Sequence, residues 1–194
     1  MIIYLIRHTK PDVTEGTCYG QSDIDIVKEE FQRDLIYMKS VIPIRNWQAA
    51  YTSPLKRCAK LTNELTQGSC KIITDNRIKE LNFGDWELQK WNNIPEKEMN
   101  EWCENYIQKS PPNGESYNEL YERTVNFWKM LNGKDHKTAG IITHGGVIRS
   151  ILAHIFEMPL KNSFSIKLHY SEIIKIETSE SGFYQVEFLT QHKY

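Results

Sequence analysis

The sequence TAGIITHGGVIRSILAHIF, residues 138–156, has the pattern of a buried strand that leads directly into an apolar helix. We predict a strand over Thr138–Thr143 and a helix over residues 147–156. The two glycines between them let the backbone turn tightly and approach a ligand closely. His144 lies at this turn, near the N–H groups that begin the helix, and is a candidate anion-binding or proton-transfer group. A tight turn that needs glycine only for packing explains the same pattern.

A second buried strand opens the chain. Residues 2–6, IIYLI, form an apolar run that is too short for a helix and is typical of a strand buried on both faces. Arg7 and His8 follow it directly, and a long polar loop then extends to Asp25. Imidazole is a competent nucleophile, and the planar fork of a guanidinium suits phosphate oxygens. A structural histidine that ends a strand is the alternative interpretation of this dipeptide.

The rest of the chain alternates between strand and helix patterns. Strands are predicted over 49–52 and 71–74, with two more inside 164–189, and helices over 27–41, 53–65, 96–108 and 116–131. This alternation predicts a three-layer α/β/α sandwich with a mostly parallel central sheet. Ligands of such sheets bind beyond the carboxyl ends of the strands, so we expect Arg7-His8 and His144 to converge there.

Two further side chains are candidates for the same site. If the helix over 53–65 begins with Ser53 as its N-cap and Pro54 at its first position, Arg57 lies near a helix end that favours anions. Glu80 lies in KELNFGDWE, residues 79–87, where apolar neighbours favour the protonated carboxyl form that a general acid needs. Solvated surface side chains are the alternative for both, and Asp85 and Glu87 compete with Glu80.

Composition narrows the possible partners. The 194 residues include 24 Lys+Arg and 25 Asp+Glu, a net charge of -1, which lacks the basic excess typical of nucleic-acid binding. No apolar run approaches about 18 residues, so no membrane span is expected, and the opening MIIYLIRHTK lacks the features of a signal peptide. Four cysteines without a C-x-x-C pair are typical of reduced thiols in the cytoplasm. A single domain over 1–194 is expected, as a monomer or a homodimer.

Taken together, four segments resemble the histidine phosphatase superfamily, also called phosphoglycerate mutase-like. They are LIRH at 5–8, SPLKRCA at 53–59, the acidic segment at 80–87, and THGG at 143–146. They occur in the family's order and spread across most of the chain. Each segment is weakly specific, whereas the ordered set is highly specific.

The resemblance implies a role for each matching side chain. His8 matches the nucleophile that becomes a phosphohistidine, and Glu80 matches the acid that protonates the leaving oxygen. Arg7, Arg57 and His144 match the pocket that binds the phosphoryl oxygens, with Gly145 beside them. Phosphoryl transfer needs this concentration of positive charge. The resemblance therefore implies a phosphomonoesterase that uses a small phosphorylated substrate, with no metal and no cofactor.

A finer resemblance concerns the substrate. Residues 16–23, GTCYGQSD, after His8-Thr9, are similar to the α-ribazole phosphatase branch, which acts on α-ribazole 5′-phosphate or cobalamin 5′-phosphate during cobalamin nucleotide-loop assembly. This likeness adds Gly20 and Gln21 as candidate substrate contacts. Thr14 stands where many members carry Asn, and it is the remaining candidate contact. Thr9 stands where the family usually has Gly, and its Cβ is expected to crowd the pocket or its hydroxyl to bind substrate.

Other hypotheses stay open. One is a phosphoglycerate mutase or a broad-specificity sugar-phosphate phosphatase, although the short chain favours hydrolysis over mutase chemistry. A second is a metal site of His8, His144 and Glu80, which neighbouring arginines disfavour. A third is a binding module that has lost turnover. Residues 86–121 are predicted to form an aromatic-rich, helical, lid-like insertion, which either stacks on a benzimidazole-like base or packs on the core.

Overall fold

A six-stranded sheet forms the centre of the protein. The structure is a computed structural model that describes residues 1–179 and 181–190. The sheet order is β3-β2-β4-β1-β5-β6. Strands β1 to β4 pair in parallel, whereas β5 is antiparallel to both β1 and β6. The strands are β1 Ile2–Arg7, β2 Ala49–Thr52, β3 Lys71–Thr74, β4 Thr138–Thr143, β5 Ile173–Thr178 and β6 Tyr184–Phe188.

Helices cover both faces of this sheet. The α-helices are α1 Lys28–Val41, α2 Lys56–Thr66, α3 Glu96–Asn105, α4 Tyr117–Asn132 and α5 Gly145–Ile155. Short 3-10 helices lie at Ile44–Asn46, Asn76–Ile78, Gly84–Trp86, Trp91–Asn93 and Leu160–Ser165. None of the helices in the described ranges is long and apolar enough to cross a membrane.

The pleat of β1 explains the three layers. Ile3 and Leu5 point to one face, where they share a core with residues of α4 and α5. Tyr4 and Ile6 point to the opposite face, where residues of α1 and α2 bury them. Because both faces are covered, the strand is apolar throughout, as the sequence indicates. The predicted α/β/α sandwich with a mostly parallel sheet is therefore confirmed.

The predicted start of α2 is wrong. The helix begins at Lys56, and Leu55, in an extended conformation, occupies its N-cap position. Ser53 is therefore not the N-cap, and Pro54 is not the first helical residue. The Ser53 hydroxyl instead lies 2.8 Å from Nε2 of His144. Because the Ser53 side chain contacts His144 at the end of the strand, it does not cap the helix, and the backbone stays extended until Leu55.

Three other boundaries differ from the prediction. Helix α3 ends at Asn105 because the carbonyls of Tyr106 and Ile107 accept hydrogen bonds from the first turn of α4. Helix α5 begins at Gly145, two residues early, so both glycines are helical. In the tail, Phe164 belongs to a 3-10 helix, and the two strands begin only at β5.

Three parallel strands end side by side at one edge of the sheet. In the register, Arg7 of β1 pairs with Thr143 of β4, and Thr52 of β2 pairs with Ile142 of β4. The next residues along the chain are His8, His144 and Ser53. The topology therefore brings three side chains that are distant in sequence to the same place.

Candidate active site

His8 follows β1 and is held as a neutral imidazole. Its Nδ1 lies 2.6 Å from the carbonyl oxygen of Thr9, and Nε of Arg57 lies 3.3 Å from its Nε2. A carbonyl only accepts and a guanidinium only donates, so the proton is on Nδ1 and the lone pair is on Nε2. Burial, then Arg57, then Arg7 hold the pKa of His8 well below its ordinary value. Nε2 is therefore available as a nucleophile at neutral pH.

Two guanidiniums beside His8 have neutral hydrogen-bond acceptors. Arg57 is completely buried and donates from Nη1 and Nη2 to the carbonyls of Ser22 and Gly20, at 2.9 and 2.7 Å. Arg7 donates from Nη1 to the carbonyl of Leu168, and its buried Nε has no partner among the described residues. Within residues 1–179 and 181–190, neither guanidinium forms an ion pair with a carboxylate. Buried positive charge without a counter-ion suits an anionic ligand.

His144 adds a second neutral imidazole to this cluster. Its ring centroid lies 5.0 Å from that of His8, and the side chain is completely buried. Burial, followed by the charges of Arg57, His8 and Arg7, holds the pKa of His144 well below its ordinary value. An incoming anion reverses part of this effect, so His144 can take up a proton and donate to that anion.

Glu80 lies against the N-terminus of α5. Its carboxylate accepts from the backbone N–H of Leu81 at 2.9 Å and from that of Gly146 at 3.2 Å. A Cβ on Gly146 would lie only 2.4 Å from Oε1 of Glu80, so this contact requires glycine. Gln21 and Arg123 both donate to the Glu80 carbonyl, at 3.0 and 2.9 Å, and fix its backbone.

An aromatic cavity of about 200 Å³ opens beside Glu80 and Gly146. Arg149 is its basic side chain, and its guanidinium lies over the ring of Phe164 at 5.1 Å. Its aromatic walls suit a flat apolar group next to the carboxylate. Its remaining lining residues are Thr17, Tyr19, Gly20, Leu81, Phe83, Trp91 and Tyr117.

The segment predicted as a lid contributes two of these residues, Trp91 and Tyr117. Part of the segment packs into a small cluster in which Cys18, Trp86 and Ile94 are buried. It is therefore attached to the long loop after β1. A single domain with a helical lid-like insertion at 86–121 stays a prediction.

Gly20 and Gln21 hold other residues of the site in place. Gly20 has a φ of +25°, and a Cβ there would lie 2.3 Å from Oε1 of Glu87, so the turn that presents its carbonyl to Arg57 needs glycine. The Gln21 side chain donates to the backbone of Glu80, as described above. Both residues therefore position other groups, and direct contact between Gln21 and a substrate stays a prediction.

Thr14, Gly145 and Thr9 complete the predicted set. Gly145 is buried in the first turn of α5, and a Cβ there would lie 3.5 Å from Nε of Arg7. Thr14 is exposed and lines a cavity of about 500 Å³ together with Tyr19 and Tyr170, and its contact with a substrate stays a prediction. Thr9 has no positive φ, and its buried hydroxyl has no hydrogen-bond partner among the described residues.

Sequence reasoning missed several residues at this edge. Ser53 contacts His144, and its position after a third parallel strand was an available signal. Tyr19 and Tyr170 lie against the two arginines, but Tyr170 follows an irregular segment without a pattern. In the described part of the chain, no group of three or more His, Cys, Asp or Glu side chains is placed to hold a metal ion.

Two imidazoles lie at one edge of a parallel sheet with two guanidiniums that have no carboxylate partner among the described residues, an arrangement that suits phosphoryl transfer. The chain belongs to the histidine phosphatase superfamily (branch 1), whose family model matches residues 3–190.

Relatives carry two different names. The adenosylcobalamin/alpha-ribazole phosphatase of Salmonella typhimurium is 27% identical over 166 residues, which cover 82% of this chain and 81% of the relative. The probable phosphoglycerate mutase GpmB of Cronobacter sakazakii is 24% identical over 189 residues, covering 92% and 86%. The alpha-ribazole phosphatase structure from Shigella flexneri has a TM-score of 0.90 at 18% identity, covers 98% and 96% of the two chains, and shows the same fold.

Proposed function

We propose that this enzyme is a metal-independent phosphomonoesterase that acts through a phosphohistidine on His8. The observation that carries the proposal is the contact of 3.3 Å between Nε2 of His8 and Nε of Arg57, a buried cation that has no carboxylate partner in the described ranges. A metal site of His8, His144 and Glu80 has no comparable support.

The first half-reaction transfers the phosphoryl group to the enzyme. Nε2 of His8 forms a bond to phosphorus while the bond to the ester oxygen breaks. Protonated Glu80 gives its proton to that oxygen, and the alcohol leaves. Arg57 exchanges its bond with Nε2 for a bond with a phosphoryl oxygen, and Arg7 donates from its Nε, which has no partner among the residues that the structure describes. These donors and His144 stabilise the charge on the equatorial oxygens.

The second half-reaction returns His8 to its starting state. The carboxylate of Glu80 takes a proton from water, and the water oxygen forms a bond to phosphorus. The bond between phosphorus and Nε2 breaks, and inorganic phosphate leaves. Glu80 is protonated again and ready for the next substrate. The contact between Glu80 and the N–H of Gly146 keeps the carboxylate in place through both halves.

The substrate we propose is α-ribazole 5′-phosphate, or cobalamin 5′-phosphate. Two observations support it: the likeness to the Salmonella typhimurium adenosylcobalamin/alpha-ribazole phosphatase, and the aromatic cavity beside Glu80. A benzimidazole-type base is flat and apolar and fits against rings such as Trp91 and Phe83. A polyhydroxylated sugar or glycerate would gain less from these aromatic faces, which offer its hydroxyl groups no hydrogen-bond partner.

A phosphoglycerate mutase or a sugar-phosphate phosphatase is the second candidate. The relatives named probable phosphoglycerate mutase favour it.

The free thiols of Cys18, Cys58, Cys70 and Cys103 support a place in the cytoplasm. We also propose one domain over 1–194, as a monomer or a homodimer, with 86–121 as a lid on the aromatic cavity.

Substrate profiling tests the assignment. We would measure kcat/KM for α-ribazole 5′-phosphate, 3-phosphoglycerate, a hexose phosphate and an aryl phosphate, with and without a chelator, using His8→Ala as the blank. The expected result is the highest kcat/KM for α-ribazole 5′-phosphate and no effect of the chelator. A far higher value for 3-phosphoglycerate overturns the substrate, and loss of activity with the chelator overturns the metal-independent mechanism.

A further inference from the structure

Two tyrosines meet beside His8 and the two arginines. The hydroxyls of Tyr19 and Tyr170 share a hydrogen bond of 2.8 Å. The Tyr170 ring lies 4.3 Å from the guanidinium carbon of Arg7 and 5.7 Å from the ring of His8. The Tyr19 ring lies 5.4 Å from the guanidinium carbon of Arg57. Each arginine of the anion site therefore has one of these rings against it.

The reactive groups beneath these rings are closed to solvent. The exposed fraction is 1% for His8 and 0% for both Arg57 and His144. Phosphoryl transfer requires the phosphorus atom to touch Nε2 of His8, with the guanidiniums around its oxygens. A substrate therefore cannot react until some covering group moves.

The backbones that carry the two tyrosines are fixed. Beside Tyr19, the N–H of Leu88 donates to the Cys18 carbonyl at 2.7 Å, and the N–H of Cys18 donates to the Gln89 carbonyl at 2.9 Å. On the other side, the N–H of Ser171 donates to the His8 carbonyl at 3.1 Å, and the carbonyl of Leu168 accepts from Arg7. Movement of either loop would break several hydrogen bonds, whereas rotation of a side chain breaks one.

There is also room for the rings to rotate. Tyr19 lines both the aromatic cavity of about 200 Å³ and the polar cavity of about 500 Å³, and Tyr170 lines the second. Burial, followed by the bond to Tyr170, raises the pKa of Tyr19, so its hydroxyl keeps its proton at neutral pH. The bond between the two hydroxyls is therefore the contact that must be given up when the rings part.

We propose that Tyr19 and Tyr170 are the gating residues of the His8 site, closed by their shared hydrogen bond and opened by side-chain rotation to admit a phosphorylated substrate. This rests on the proposed function, because it assumes that His8 receives the phosphoryl group. Opening precedes binding, so the rate at which an anion enters has an upper limit set by the gate.

Transient kinetics with orthovanadate as the probe test this gate. We would mix the protein with increasing vanadate and follow tryptophan fluorescence for the wild type, Tyr19→Phe, Tyr170→Phe and the double variant. Each substitution keeps the ring and removes the hydroxyl bond. The expected observed rate levels off at high vanadate, at a plateau about two- to tenfold higher in either single variant, as for the loss of one hydrogen bond. The plateau of the double variant should equal that of each single variant, since every one of these variants removes the same hydrogen bond.

Tyr121→Phe is the matched control. Its hydroxyl faces Nδ1 of His154 at 3.3 Å, next to a different cavity, so its plateau should equal that of the wild type. Unfolding temperatures would confirm that each variant is folded. Unchanged plateaus in both single variants, with normal vanadate affinity and phosphatase turnover, overturn the gate alone. Absence of both vanadate binding and turnover in the wild type overturns the proposed function and the gate together.

Discussion

Nε of Arg57 lies 3.3 Å from Nε2 of His8, and this contact joins the anion-binding and nucleophilic parts of the site. It points the lone pair of the imidazole toward the guanidinium group that would bind the oxygens of an anion. The same cation helps to lower the pKa of His8, so the nucleophile stays unprotonated. Binding and nucleophilicity are thus coupled through one pair of side chains.

Replacement of Arg57 should change both properties. Arg57→Gln removes the positive charge, so the pKa of His8 should rise and the acid limb of the kcat/KM profile should move to higher pH. Loss of a transition-state donor should also lower kcat/KM at neutral pH by about a hundredfold or more. Arg33→Gln, at an exposed guanidinium, is the control and should leave the profile unchanged. A large loss of activity with an unmoved acid limb would contradict this coupling.

Glu80→Gln should show the signature of a lost proton donor. We expect kcat to fall by about a hundredfold for alkyl phosphates, which need a proton on the leaving oxygen, and much less for aryl phosphates, which do not. A series of leaving groups of graded acidity would measure this. Glu101→Gln, at an exposed ion pair with Lys109, is the matched control. Equal losses for alkyl and aryl substrates would show that Glu80 is not the acid.

Gly146→Ala should reproduce part of that defect without replacing a carboxylate. The added Cβ would lie 2.4 Å from Oε1 of Glu80, so the acid must move away from the helix end. We expect about tenfold slower turnover of alkyl phosphates, with a folded protein and smaller effects on aryl substrates. At Gly133 the nearest atom to an added Cβ is 3.5 Å away, so Gly133→Ala controls for glycine replacement. Full activity in Gly146→Ala would refute the importance of this contact.

The two buried histidines should make stability depend on pH. The pKa values of His8 and His144 are lower in the folded protein than in the unfolded chain, so the unfolded chain binds more protons below about pH 6.5. The free energy of unfolding should therefore fall as the pH drops below that value, by up to about 1.4 kcal/mol per pH unit for each histidine. Denaturant unfolding at pH 7.5 and 5.5 measures the slope.

A variant separates this effect from general acid sensitivity. His8→Asn should have a shallower slope than the wild type, because one of the two protons is no longer taken up on unfolding. His136→Asn, which loses only a contact with Tyr51, controls for removal of a histidine elsewhere. The explanation fails if His8→Asn and the wild type lose stability in parallel.

Much of the site could be predicted because strand ends are visible in the sequence. The apolar run before Arg7 and the run before His144 identify two parallel strands, and the sheet rule then brings their ends together. Ser53 was misread because a serine before a proline is also typical of a helix start. Its hydroxyl instead contacts Nε2 of His144. This contact follows from the pairing of neighbouring strands, which the local sequence does not reveal.

Other features depend on tertiary packing that no local pattern records. The tail pattern predicts two strands but not their pairing. Strand β5 pairs antiparallel with β1, and this pairing brings Tyr170, which precedes β5, over Arg7. Likewise, α3 ends early because the first turn of α4 donates to the carbonyls of Tyr106 and Ile107, the two residues that follow α3. Long-range hydrogen bonds of this kind override helix propensity.

A test for phosphorylated His8 addresses the central claim most directly. The protein would be mixed with excess substrate, quenched within milliseconds in alkali, which preserves phosphohistidine, and digested for mass spectrometry. We predict one phosphoryl group on the peptide that contains His8, formed no more slowly than phosphate is released, and none in His8→Ala. Full turnover with no phosphate on His8 would contradict the account. Undiminished turnover in His8→Ala would contradict it as well.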